Sequence, residues 1–246
     1  MKLEDLQENW NKFGETDPLW GILAWPDKTE NRWQVDAFFE TGVEEIDAVL
    51  AYVADLGLEP GFDAALDFGC GVGRLSQALA RRFDIVHGVD ISPAMIELAQ
   101  QYNHHGERCR YHLNETDDLR LFEDKTFDFI YSNITLQHMP PRYASAYIAE
   151  FLRLLTPGGV LIFQIPSAPK RRLRRLIQPL RPTRPWRMYQ KWRYGDHPVM
   201  DMYGIPQTQV LQLLKTHGGK LVDVQSDDSA DAAWISYRYC VTKPLS

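Results

Sequence analysis

Cysteine is scarce in this chain of 246 residues. Cys70, Cys109 and Cys240 are too few and too scattered for a disulfide framework or a zinc site. Long apolar runs are missing too. The longest, around Val160-Leu161-Ile162-Phe163, has the length of a strand and not of a membrane span. The opening Met1-Lys2-Leu3-Glu4-Asp5-Leu6 is acidic and lacks the apolar stretch of a secretion signal. His87, His104, His105, His112, His138, His197 and His217 share no metal-ligand spacing, which speaks against a metal role. There is no internal repeat and no low-complexity linker. A reduced, cytoplasmic protein without a metal is the expectation.

What is present fits one well-packed core with an elaboration. The hydrophobic fraction of 44% is ordinary for a globular protein. The net charge of −6 conceals a separation of sign. Ten of the 27 basic residues fall between Lys170 and Arg193, a stretch with no acidic residue, which leaves 17 basic against 33 acidic elsewhere. Such a separation commonly marks a surface that meets an anion.

From about residue 63 short β-rich runs alternate with helical patterns, as in a parallel α/β sheet. The runs are Asp63–Phe68, Asp84–Asp90, Arg108–Leu113, Phe127–Asn133 and Gly159–Ile165, followed by Lys220–Gln225 and Ala233–Thr242 as a closing hairpin. Ser92-Pro93 supplies an N-cap and a first-turn proline. Pro140-Pro141 opens a helix carrying Tyr147, Phe151, Leu154 and Leu155, and Gly218-Gly219 stops another that begins after Pro206. Upstream, Val43, Ile46, Val49, Leu50, Val53 and Leu56 form a helical stripe, with Thr41 and Glu44 as its expected capping box. Four tryptophans (Trp10, Trp20, Trp25, Trp33) in the first 40 residues suggest a segment that packs as a lid. One domain is expected: residues 1–60 a helical lid, 61–166 and 205–246 the core, 167–204 a basic and aromatic cap.

The loop Asp67-Phe68-Gly69-Cys70-Gly71-Val72-Gly73 leaves the first strand at the edge where open α/β sheets bind ligands. Glycines alone fit a ligand-free tight turn as well. Three details narrow the choice. Arg74 stands where a dinucleotide G-x-G-x-x-G pattern has its third glycine. Asp67 disfavours a pyrophosphate and suits an ammonium and a sulfonium. Asp90 ends the second strand, 21 residues after Gly69, where a carboxylate accepts from both ribose hydroxyls. The combination favours a positively charged nucleoside without phosphate, a description that S-adenosylmethionine (SAM) fits.

The ordered series Leu66–Arg74, Gly88–Met95, Phe127–Asn133, Leu136–Pro140 and Leu152–Gly159 resembles the core of the class I SAM-dependent methyltransferases, of the small-molecule type 11/12 kind. The resemblance spans about Ala64 to Ile165. It implies a Rossmann-like α/β fold, with a seven-stranded sheet of order 3-2-1-4-5-7-6 and the last strand antiparallel. It implies SAM as cofactor and S-adenosylhomocysteine (SAH) as product. Gly69, Gly71 and Gly73 would line the methionine half, with Asp67 near its amino group. Asp90 would hold the ribose, and Ile91 and Met95 would flank the adenine. Glu115 aligns with the carboxylate that meets the adenine amino group, with Thr116 beside it. Asp117 competes for that place, although Asp117, Asp118 and Glu123 also fit a solvated acidic loop. Asn133 closes the fourth strand at the cofactor.

For chemistry, His138 is the candidate general base, because the loop after the fourth strand opens beside the cofactor. The alternative is that it caps the helix starting at Pro140-Pro141. Asn133-Ile134-Thr135-Leu136 sits where DNA amino-methyltransferases carry an Asn/Asp-Pro-Pro-aromatic element; it lacks the prolines and the aromatic, which disfavours DNA. The Lys170–Arg193 stretch, with Trp186, Tyr189 and Trp192, fits an anionic small-molecule pocket first. A lipid-linked or glycan acceptor at an anionic membrane surface comes next, then RNA. A solvated cap paired with the acidic remainder fits equally well. A non-catalytic SAM-binding regulatory or scaffold protein stays open, and the oligomeric state is not legible.

Overall fold

The computed structural model describes residues 1–170 and 198–245. Of the expected cap, residues 171–197, with most of the basic stretch, lie outside the described residues. The helices are α1 (Leu3–Thr16), α2 (Pro18–Ile22), α3 (Val35–Asp55), α4 (Arg74–Leu79), α5 (Pro93–Gln101), α6 (Pro141–Leu154) and α7 (Gln207–Thr216). The strands are β1 (Ala64–Phe68), β2 (Ile85–Asp90), β3 (Cys109–Leu113), β4 (Phe127–Ser132), β5 (Leu155–Pro169), β6 (Lys220–Ser226) and β7 (Trp234–Thr242). They form one sheet in the order β3-β2-β1-β4-β5-β7-β6. β1 to β5 run parallel, and β7 is antiparallel to both β5 and β6. This is the topology the resemblance implies.

The central strands read as nearly continuous apolar runs because both faces of the sheet are covered. Side-chain alternation divides them between two cores. Leu66, Phe68, Ile130, Leu161 and Phe163 face α6 through Tyr147, Ile148 and Phe151. Ala65, Phe129, Tyr131, Val160 and Ile162 face α3 through Ile46, Val49 and Val53. A third cluster joins the N-terminal segment to the loop end of the sheet, with Phe13, Leu19, Trp33 and Phe38 packed on Val72 and Met95.

Two local expectations are corrected. α3 begins at Val35 with Gln34 as N-cap, so Thr41 and Glu44 are no capping box. Thr41 lies inside the helix, and its hydroxyl donates to the Phe38 carbonyl at 2.6 Å. The buried face simply continues upstream through Phe38 and Gly42, which prolongs the helix. β5 extends past both ends of the expected Gly159–Ile165. Leu155 pairs with Phe127 at one end, and β7 supports the strand as far as the Pro169–Trp234 pair at the other. Ser92 does cap α5, accepting from the Met95 amide at 3.2 Å, with Pro93 in the first turn.

Candidate active site

The carboxyl ends of β1, β2 and β4 open into a cavity of about 900 Å³, counted to its mouth. The glycine loop forms its floor. The amides of Gly69 and Cys70 donate to the Val89 carbonyl at 2.8 and 3.0 Å, which closes the turn against β2. Gly69 has φ +79°, and a Cβ there would overlap the Thr135 side chain, so only glycine lets the two loops meet. Gly71 also lines the cavity. Gly73 does not: it starts α4 at φ +86°, hard against the Tyr111 ring.

Asp90 lines the cavity and is fixed by two backbone amides. Gly71 donates to one carboxylate oxygen and Ser92 to the other, both at 2.9 Å. Burial pushes its carboxyl pKa up, and these amides pull it back. Ile91 and Met95 form the adjoining apolar wall. Glu115 and Thr116 are exposed and lie outside the lining, and Glu115 instead accepts from the Gln7 amide at 2.8 Å. The residue that reaches the cavity is their neighbour Asn114, whose amide bonds the Thr116 and Asp118 carbonyls and the Tyr147 hydroxyl.

Asp67 is fully buried beneath the loop, with one oxygen accepting from the Ser76 hydroxyl at 2.6 Å. Its other oxygen, Oδ1, is buried without a partner. Burial raises its pKa to about 7, against the lowering effects of the Ser76 hydrogen bond and the Arg74 charge. Arg74, only 2% exposed, lines the cavity and pairs with Glu45 at 2.8 Å. Its Nε is likewise buried without a partner. The implied cofactor can be tested on these two atoms. The orphaned acceptor, which lies beneath the loop and outside the lining, carries the charge that suits an amino acid's ammonium, and the orphaned cationic donor at the cavity wall complements its carboxylate. Nothing in the position of Arg74 after Gly73 signalled the second half of that pairing.

His138 lines the cavity, but the structure fits neither expectation for it. The Asp201 carbonyl at 2.9 Å can only accept, so Nδ1 carries the proton. Nε2 then accepts from the Gln137 side-chain amide at 3.0 Å, leaving no lone pair for an acceptor's proton. Burial lowers its pKa to about 4, with the Asp201 carbonyl acting in the opposite sense. Nor does it cap α6, whose N-cap is Pro140. His138 is instead pinned as a wall, with Trp10 packed edge-on at 5.0 Å.

Asn133 lines the cavity and donates from its amide to Glu45 at 2.7 Å. Next to it, Ile134 adopts φ +49°, a left-handed conformation that strains a β-branched residue. Its amide is held by Gln164 at 3.2 Å. The remaining wall comes from α1, through Leu3, Leu6 and Trp10. Three amides stitch that helix down. Gln7 donates to the Ile91 carbonyl at 3.1 Å, Asn11 accepts from the Ala94 amide at 2.9 Å, and Asn9 pairs with both backbone groups of Val199. Among the described residues no cluster of three metal-ligating side chains occurs, and no helix is long and apolar enough to cross a membrane.

Residues 65–159 match a family model described as a methyltransferase domain. Trans-aconitate 2-methyltransferase of Enterobacter sp. (strain 638) is 32% identical over 137 residues, 55% of this chain and 51% of that protein. Phosphoethanolamine N-methyltransferase 3 of Arabidopsis thaliana is 34% identical over 138 residues, 55% of this chain and 27% of that protein. The chain thus spans about half or less of these curated relatives. Among solved structures, magnesium protoporphyrin IX methyltransferase from Synechocystis PCC 6803 with bound SAH superposes with a TM-score of 0.64 at 21% identity. That likeness covers 98% of this chain and all of the other, and it shows the shared fold. Sheet order, glycine loop, Asp90 and the matched segment agree in making residues 65–159 similar to the methyltransferase domain that this family model describes.

Proposed function

We propose that this chain moves a methyl group from SAM to an oxygen or nitrogen atom of a small, anionic molecule and releases SAH. The observation that carries the cofactor half is the buried pair of unpartnered atoms, Asp67 Oδ1 and Arg74 Nε, around the glycine loop. Asp67 would meet the amino group and Arg74 the carboxylate. Gly69 and Gly71 would lie along the methionine half, and Asp90 would hold the ribose. Ile91, Met95 and Asn114 would enclose the adenine. When bound, SAM supplies an electrophilic methyl group on a sulfonium.

The chain's own contribution is then positioning and exclusion of water. Leu3, Leu6, Trp10, Ile134 and Met139 give the cavity apolar walls. Such walls leave a neutral or anionic nucleophile poorly solvated next to the positive sulfonium. With both nitrogens of His138 engaged, proton removal is not assigned to it. The anionic acceptor rests on the ten basic residues between Lys170 and Arg193 set against the acidic remainder. The named relatives act on trans-aconitate and phosphoethanolamine, which agrees with a small charged acceptor. A cytoplasmic location is part of the same reading.

Calorimetric titration with SAH tests the cofactor assignment, and the absence of heat at millimolar ligand would refute it. Asp90→Ala should weaken binding by roughly 100-fold or more, as expected for a lost charge-assisted pair of hydrogen bonds. Incubating a cell extract with methyl-labelled SAM tests the acceptor. Label in a small anionic product is expected. Label in lipid, glycan or RNA would overturn the acceptor class, and binding without any transfer would favour a regulatory or scaffold role.

A further inference from the structure

Glu45 lies in the middle of α3, upstream of the matched segment, and does not itself line the cavity. Each of its carboxylate oxygens nevertheless bonds a residue at the cavity wall. Oε2 accepts from Arg74 Nη2 at 2.8 Å. Oε1 accepts from the Asn133 amide at 2.7 Å and from the Tyr131 hydroxyl at 2.8 Å. Thr41, one turn earlier on the same helix, takes Arg74 Nη1 at 3.3 Å. With two nitrogens held from α3, Nε is the buried donor of Arg74 left over for a ligand.

The same carboxylate sets the sense of the Asn133 amide. A carboxylate only accepts, so the amide nitrogen must face Glu45, and the carbonyl oxygen faces Ser229 at 3.2 Å. Arg74 belongs to the loop after β1 and Asn133 to the end of β4. One side chain therefore sets the orientation of the Arg74 guanidinium and of the Asn133 amide together.

We propose that Glu45 is a positioning residue for the methyl donor, fixing Arg74 toward the carboxylate of the cofactor while holding Asn133 in place at the cavity wall. The proposal rests on the SAM reading above. Electrostatics alone opposes it, because a second carboxylate near the site repels an anionic ligand group. Positioning therefore has to outweigh repulsion, and that makes the sign of the effect informative.

Glu45→Gln provides the test in the full-length chain. Its single oxygen can keep Tyr131 and Asn133, while its amide turns a donor toward the Arg74 guanidinium. SAH and methylthioadenosine, which has the same nucleoside and sulfur but no amino-acid end, are titrated side by side, with thermal melts as a folding check. The expected result is a loss of SAH affinity of roughly 10-fold, the effect of one charge-assisted hydrogen bond, with methylthioadenosine unchanged. Glu45→Asp, which keeps the charge one methylene further away, should recover most of the SAH affinity. Equal weakening of both ligands would reduce Glu45 to a scaffold role and overturn the proposal. Unchanged or tighter SAH binding would overturn it as well. If Glu45→Gln does not fold, Glu45→Asp carries the same comparison with a smaller SAH-selective loss. Failure of the unaltered chain to bind SAH would instead sink the cofactor reading itself.

Discussion

Replacing Asp67 with asparagine should make the unliganded protein more stable at neutral and alkaline pH while weakening its hold on the cofactor. Asp67 is fully buried, and burial raises its pKa from 3.8 to about 7. Between those values the folded chain keeps a proton that the unfolded chain has lost. Stability from this group is therefore greatest in acid and is lost as pH rises from about 4 to about 7. The difference between 3.8 and about 7 corresponds to about 4 kcal/mol. Asparagine is nearly isosteric, keeps the Ser76 contact and cannot ionise. Urea unfolding should thus show Asp67→Asn gaining on the parent by a few kcal/mol, up to about 4 kcal/mol, at pH 8 and by little near pH 4. His87 and His138, each lowered to about 4, act with the opposite slope, losing stability as pH falls from about 6.5 to 4. Because both proteins carry them, the difference between the two pH profiles isolates Asp67. In the parent, an ammonium group arriving beside Asp67 favours its ionised form, so SAH binding near pH 7 should release a proton. Calorimetry in buffers of different ionisation enthalpy would detect it, and the variant should release less. Parallel pH profiles for the two proteins would refute the assignment of a buried, perturbed carboxylate at the loop.

Substitutions at three more positions, Gly57, Gly69 and Ile134, probe the backbone. Gly57 and Gly69 both have positive φ, +71° and +79°, but a Cβ at Gly57 meets nothing within 4 Å, whereas at Gly69 it overlaps Thr135. Gly57→Ala should cost about 1–2 kcal/mol from the left-handed conformation alone, and Gly69→Ala distinctly more, together with SAH binding; equal losses in denaturant melts would contradict the packing described. At Ile134 the usual order of alanine over glycine should reverse, since its φ is +49°. Ile134→Gly should exceed Ile134→Ala by about 1 kcal/mol in urea melts, and a more stable alanine variant would show that the strain is absent.

The sheet was legible because its strands are short apolar runs separated by proline, glycine and capping residues, signals that act over a few neighbours. Asp90 and the glycine loop were legible because one local turn sets both. Where a side chain's role depends on distant contacts, the reading stopped short. Arg74 and Glu45 lie 29 residues apart in different elements, so nothing local announces their pairing. His138 looked available because the segment that occupies its ring nitrogen, at Asp201, lies 63 residues further on. Glu115 was placed one residue away from Asn114, the side chain that reaches the cavity, because the alternation of the strand does not continue past its end. The start of α3 was missed because Thr41 and Glu44 imitate a cap that the buried Phe38 and Gly42 make unnecessary.

The wall contributed by α1 divides the cavity between two stretches of chain with different freedom to change. The floor belongs to the matched segment, where a Cβ at Gly69 has no room and Asp90 has both oxygens engaged. Leu3, Leu6 and Trp10 sit outside that segment on a helix held by side-chain amides at other positions, Gln7, Asn9 and Asn11. Changes among them would reshape the cavity without replacing either the stitches or the loop beneath, within what the packing of Leu6 in the core and of Trp10 on His138 allows. A descendant of this protein could thus acquire a differently shaped neighbour for its cofactor by mutating one short helix, with the machinery for the common donor inherited intact.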